Sequence, residues 1–332
     1  MAAAGVELLA GLDRLAVLGF AEVVRHLPDL LRLRREVREF ILRENVDLLV
    51  PIDYPGFNLP LAEWTHQRGI PVIYYIAPQV WAWHESRARR LARIADEVCV
   101  VLPFETAFLE SYGANARFVG HPLLDRTSSQ TPGKRDPAVT RGVPVLGLFP
   151  GSRAQEVRRM LPEFLDAAGR LAVAIPGLKI LVARSADLPE SLFESCPEGS
   201  VSNPEAVASE ATAAITKSGT ITLQLALADV PMVVGYRVNA LTASIARRLL
   251  RIPHIALVNL VAERCVVPER IQTEMTGEGL AAAVAPLLEF GSAERNAILD
   301  GLNEVRSLLG EPGAADRVAD ACVTALATDA GP

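Results

Sequence analysis

The segment VPVLGLFPGSRAQEV, from Val143 to Val157, decides the fold. Val143–Phe149 is an apolar run of strand length, ended by Pro150 and Gly151. From Ala154 the pattern turns helical. Strand, tight turn and helix start in this order form the first step of a parallel βαβ unit. Glycine admits a tight turn and a close backbone approach. Ser152 is placed to cap the helix, whose N-terminus attracts anions. Arg153 adds a planar donor fork suited to phosphate oxygens. Gly151, Ser152 and Arg153 are therefore candidate phosphate-binding residues, against the plainer reading of an ordinary βα turn with a capping serine.

The same grammar recurs on both sides. Further strands are expected at Asp47–Ile52, Val72–Ile76, Glu97–Val101, Arg117–Val119, Leu178–Ala183, Ala213–Thr216 and Met232–Gly235. Amphipathic stretches such as Glu63–Arg68, Arg87–Ala95, Phe104–Tyr112 and Ala154–Val173 lie between them. This alternation predicts an α/β protein with parallel sheets. RTSSQTPGKRDPAVTRG, Arg126 to Gly142, is nearly free of apolar residues and reads as a linker. The expected domains are 1–125, the linker 126–142, a second domain 143–290 and a helical tail 291–332. Gly279–Leu326 reads as helical throughout.

The chain has 332 residues, 50% of them hydrophobic and 22% charged, which suits two globular domains rather than disorder. Its net charge of -6 gives no basic footprint for nucleic acid. Cys99, Cys196, Cys265 and Cys322 lie far apart, as do the 5 histidines, so neither a disulfide framework nor a zinc pattern is present. No P-loop, HExxH or GxSxG occurs. No uncharged stretch approaches the ~18 residues of a membrane span, and the N-terminus lacks a signal-peptide pattern.

Other segments carry candidate chemistry. Thr216-Lys217-Ser218-Gly219-Thr220 is a second small polar turn before a helix, with Gln224 one helical turn on. Asp53, in IDYPGFN at the end of an expected strand, is either a general base or a turn aspartate. Trp81 and Trp83, in APQVWAWHE, form either an apolar wall for a substrate or a packed loop cluster. His121, in GHP, ends a strand. Arg247, Arg248 and Arg251 alternate with apolar residues in Asn239–Ala262, as in an interfacial helix facing anionic lipid or a solvated surface helix.

Together, LGFAEVVRHLP, IDYPGFN, APQVWAWHESR, LPFE, FVGHPLLD, PGSRAQEV, KSGTITLQLAL, PMVVGYRV and VPERIQ resemble the lipid-A-disaccharide synthase family, which belongs to glycosyltransferase family 19. The resemblance spans nearly the whole chain. It implies a GT-B fold: two Rossmann-like domains facing a cleft, with a helical C-terminal tail. It implies an inverting transfer from UDP-2,3-diacylglucosamine to 2,3-diacylglucosamine 1-phosphate (lipid X), without metal or other cofactor. Asp53 would be the base. Gly151, Ser152, Arg153, Ser218, Gly219, Thr220, Gln224 and Tyr236 would hold UDP. Trp81, Trp83, His121, Asn259 and Arg264 would line the acceptor side. Peripheral attachment to the cytoplasmic face of the inner membrane is implied, and a homodimer is left open.

Two departures stand out. The family's opening strand and GEASGD turn have no counterpart here, so the first domain is expected to be short of roughly one βα unit or more. The family's PNLIAGRE-like segment reads Val258-Asn259-Leu260-Val261-Ala262-Glu263-Arg264-Cys265, keeping the asparagine and arginine but not the proline and glycine. The alternatives are a non-catalytic nucleotide-sugar-binding relative and a soluble epimerase of UDP-N-acetylglucosamine on the same fold.

Overall fold

The computed structural model describes residues 5–11, 20–79, 81, 85–129, 143–238 and 253–329. Trp83, Arg247, Arg248, Arg251 and most of the linker (130–142) lie outside the described residues.

The chain divides into two compact units. The first comprises residues up to Val101, Glu105–Val119 and the segment from Ala315 onward. It contains α1 (Phe20–Arg43), α2 (Pro55–His66), β1 (Ile73–Tyr75), α3 (Glu85–Ile94), β2 (Glu97–Val100), α4 (Phe104–Glu110) and β3 (Ala116–Phe118), with Phe104 itself counted in the second unit. The strands form a parallel sheet in the order β1-β2-β3. Asp47–Ile52, expected as a strand, contributes only isolated bridges, Leu49 to Val72 and Ile52 to Tyr75. Pro51 lies between them and has no N–H to extend the ladder. Tyr74, Leu91, Val98 and Val100 are fully buried around this sheet. Leu30, Leu33 and Ile41 of α1 pack with Phe57 and Leu61 of α2.

The second unit is Leu102–Phe104 with Gly120–Ala314. After α5 (Leu123–Ser129), which takes up the start of the expected linker, come β4 (Val145–Phe149), α6 (Ala154–Ala174), β5 (Lys179–Ala183) and β6 (Val201–Ser202). Then follow α7 (Pro204–Glu210), β7 (Ala213–Thr216), α8 (Ile221–Leu227), β8 (Met232–Tyr236), α9 (Leu257–Val261), β9 (Glu269–Ile271) and α10 (Gly277–Leu288). All six strands are parallel, in the order β6-β5-β4-β7-β8-β9. Counted within the unit, that is 3-2-1-4-5-6, the doubly wound order in which ligands bind where the order reverses. The reversal falls between β4 and β7.

β4 is apolar because both of its faces are covered. Leu146 and Leu148 are fully buried. Gly147 is needed for clearance: a Cβ there would stand 2.8 Å from Ala211 Cβ and 3.2 Å from Val207 Cγ1, so α7 rests directly on the strand.

The stretch read as helical throughout, Gly279–Leu326, is three helices: α10, α11 (Ala293–Leu308) and α12 (Ala314–Asp329). The Ser292 hydroxyl caps α11 by accepting from the Arg295 N–H at 3.2 Å. Gly310 and Gly313, at φ 87° and 96°, separate α11 from α12. α11 belongs to the second unit, and α12 to the first from Ala315.

Candidate functional site

β4 and β7 are neighbours, and their last residues, Phe149 and Thr216, lie in register. The Lys217 N–H donates to the Phe149 carbonyl at 3.0 Å. The two small polar turns therefore leave adjacent strands at the same height. This juxtaposition is tertiary and follows from the strand order.

Gly151 takes φ 128°, which disfavours a side chain. Arg153 is the N-cap of α6, and its side chain makes no capping hydrogen bond. The expected cap by Ser152 is not formed. Glu156 in the first helical turn reaches back instead, accepting the Ser152 N–H at 3.2 Å. Glu156 also meets Lys217 Nζ at 3.2 Å and Arg153 Nη1 at 3.7 Å. Lys217 and Glu156 have side chains only 18% and 16% exposed, whereas Ser152 and Arg153 face solvent. Tyr236, at the end of β8, has its phenol pKa raised by burial and then by the Glu156 carboxylate, with Arg153 and Arg159 opposing. Sequence reading assigned no role to Lys217 or Glu156.

In the second turn Gly219 has φ 146° and Thr220 is the exposed N-cap of α8. The Ser218 hydroxyl donates to the Ile255 carbonyl at 2.5 Å, so it tethers a neighbouring loop. Gln224 is half-buried on α8. The tethered loop is held by Glu269, whose carboxylate accepts the Ile255 and Ala256 N–H groups at 3.1 and 2.9 Å.

Asn259, expected on the acceptor side, is internal in this structure. It is fully buried. Its amide donates to the Val267 carbonyl and to Glu269, each at 2.9 Å, and its oxygen accepts the Val266 and Val267 N–H groups at 2.8 and 2.9 Å. All four hydrogen-bonding positions of the amide are used. Arg264 is paired with Glu304. Of the apolar residues expected to face a membrane, Leu257, Val258 and Val261 are buried, with α9 against α8 and α11.

His121 is 7% exposed. Its ring Nδ1 accepts the Leu123 N–H at 3.2 Å, and its backbone N–H donates to the Leu309 carbonyl at 3.0 Å. Burial lowers its pKa from 6.5 to about 4. Between those values the unfolded chain holds a proton that the folded chain does not, so stability falls as pH drops through this window and levels off below about pH 4. His121→Asn keeps an acceptor for Leu123. The variant should lose less stability than wild type between pH 6.5 and 4, by on the order of 3 kcal/mol in urea unfolding. Identical acid slopes would remove His121 from the account.

In the first unit, Asp53 and Tyr54 are consecutive left-handed residues, at φ 48° and 41°. Such a pair stores on the order of 1 kcal/mol or more and persists only where neighbours hold it. The Asn58 amide donates to the Ile52 and Asp53 carbonyls at 2.9 and 2.7 Å, and the Tyr74 hydroxyl donates to the Asp53 carbonyl at 2.9 Å. The turn fixes the backbone and leaves Asp53 exposed. Trp81 donates from Nε1 to Glu105, a 2% exposed carboxylate, at 3.0 Å. That bond pins the indole of Trp81. Among the described residues, no group of three or more His, Cys, Asp or Glu could hold a metal.

The strand order is that of a doubly wound α/β unit. The structure resembles UDP-GlcNAc 2-epimerase from Neisseria meningitidis bound to UDP-GlcNAc, with a TM-score of 0.61 at 10% identity over 93% of this chain and 83% of that one. It also resembles MurG from Acinetobacter baumannii, with a TM-score of 0.53 at 16% identity over 88% and 78%. These likenesses define the class: the protein has the GT-B fold. Residues 1–311 match the family described as Lipid-A-disaccharide synthetase. The lipid-A-disaccharide synthase of Myxococcus xanthus is 37% identical over 98% of this chain and 88% of the relative. That of Anaeromyxobacter dehalogenans is 39% identical over 96% and 85%. The chain belongs to the lipid-A-disaccharide synthase family and is a glycosyltransferase.

Proposed function

We propose that the chain joins the sugar of UDP-2,3-diacylglucosamine to the 6-hydroxyl of 2,3-diacylglucosamine 1-phosphate, releasing UDP and forming a β-1′,6-linked disaccharide with inversion. The observation that carries this reading is the pair of turns at the β4–β7 reversal, with Arg153 and Lys217 beside them. Asp53 takes the proton of the acceptor hydroxyl as its oxygen attacks the anomeric carbon. The bond from that carbon to the diphosphate breaks, and negative charge grows on the departing UDP. Gly151, Ser152, Arg153 and the Ser218–Thr220 turn hold the diphosphate, and fixed cations there stabilise the developing charge. Ser218 exchanges its bond to Ile255 for one to phosphate if it is to donate. Gln224 bonds the ribose as a neutral amide, and Tyr236 completes the donor side. Trp81, Trp83, His121 and Arg264 shape the acceptor's surroundings, His121 and Arg264 through the contacts given above.

Among the described residues no helix is long and apolar enough to cross a membrane. We place the protein peripherally on the cytoplasmic face of the inner membrane, with Arg247, Arg248 and Arg251 toward anionic lipid; a homodimer is compatible with this arrangement. UDP release should require both acylated substrates. Release from unacylated UDP-N-acetylglucosamine alone, or none with the acylated pair, would overturn the proposal.

A further inference from the structure

Glu156 does more than end a helix. Its carboxylate gathers a backbone N–H ahead of α6, the Lys217 ammonium and the Arg153 guanidinium. That donor set suits a phosphoryl group. The donors come from two different turns, so this is not a local helix pair. Both glycines make room for it: a Cβ on Gly151 would lie 2.5 Å from Glu156 Oε2, and one on Gly219 would lie 3.0 Å from Lys217 Nζ. An ordinary surface pair is worth about 0–1 kcal/mol and needs no such clearance.

We propose that Glu156 is an internal stand-in for phosphate. It keeps the Ser152 N–H, Arg153 and Lys217 in binding geometry while no nucleotide is present, and it yields them to an incoming diphosphate. The inference rests on the reading that these turns hold the donor's diphosphate. A ligand of low charge cannot displace the carboxylate, whereas a diphosphate can. The same competition loosens the hold on UDP after transfer, which favours product release. Glu156 is thus a positioning residue that preorganises the donors and tempers their hold on the charged leaving group.

The test is calorimetric titration of the full chain at fixed salt, with UDP and with uridine as the phosphate-free probe. Glu156→Gln keeps the size and an acceptor for Ser152 but removes the charge. UDP should bind about 5–30-fold more tightly to this variant, the equivalent of about 1–2 kcal/mol, while uridine affinity stays unchanged. Added UDP should inhibit turnover more strongly by a similar factor. UDP binding that is unchanged or weaker in the folded variant would make Glu156 a strut and overturn the proposal, as would equal tightening of uridine. If Glu156→Gln does not fold, Glu156→Asp, which withdraws the carboxylate by one methylene, should also tighten UDP; unchanged or weaker binding there overturns the proposal equally. Arg153→Ala and Lys217→Met separate the two layers. If both leave UDP affinity at the wild-type value, the turns are not the diphosphate site and the underlying reading fails first.

Discussion

Asp53→Asn is expected to lower turnover by about 10²–10⁴-fold, the usual contribution of a positioned general base. The substitution isolates the chemistry. Asparagine tolerates the left-handed conformation, so the turn at φ 48° should survive. The backbone groups that hold it, accepting from Asn58 and Tyr74, are unaltered. Unfolding midpoints should match wild type, and UDP affinity should be retained. Wild-type turnover in this variant would remove Asp53 from the mechanism. A second readout comes from Tyr74, whose pKa is raised by burial and then by the Asp53 charge. Neutralising Asp53 should lower it.

Arg153→Ala should cost about 10²–10³-fold in kcat/KM, the scale of losing one electrostatic donor where charge develops. The Arg153 side chain is 59% exposed and makes no capping bond, so the helix loses little support. Arg153→Lys should recover only part of the loss, because an ammonium keeps the charge but not the planar fork. Kinetics within twofold of wild type for the alanine variant would place the leaving group elsewhere.

How much of this was readable beforehand differs between residues. The turn after β4 was legible because a doubly buried strand writes a continuous apolar run, and Pro150-Gly151 ends it. The second turn was legible for the same reason. Their adjacency was not, because it depends on Phe149 meeting Thr216 across the sheet. The parts played by Glu156 and Lys217 follow from that register, so neither stood out in PGSRAQEV or TKSGT. Asp47–Ile52 looked like a strand by composition, yet one proline reduces its pairing to two bridges. Asn259 showed a polar residue inside an apolar helical stretch. Its complete internal satisfaction depends on Val266, Val267 and Glu269, which arrive only when β9 is in place. The C-terminal helices share one apolar periodicity that runs across the cap at Ser292, so the boundary between them is hidden in the pattern.

The division of the chain has a consequence for synthesis. The second unit is almost one continuous stretch, while the first is completed by residues from Ala315 onward. Arg117 Nη2 donates to the Arg317 carbonyl, a partner 200 residues later, and Arg317 Nε donates to the Val119 carbonyl. At roughly 5–20 residues per second on the ribosome, the early sheet waits about 10–40 s for its last helix. The half made first is therefore finished last, and its nascent sheet stands without that helix until the residues from Ala315 onward have been made.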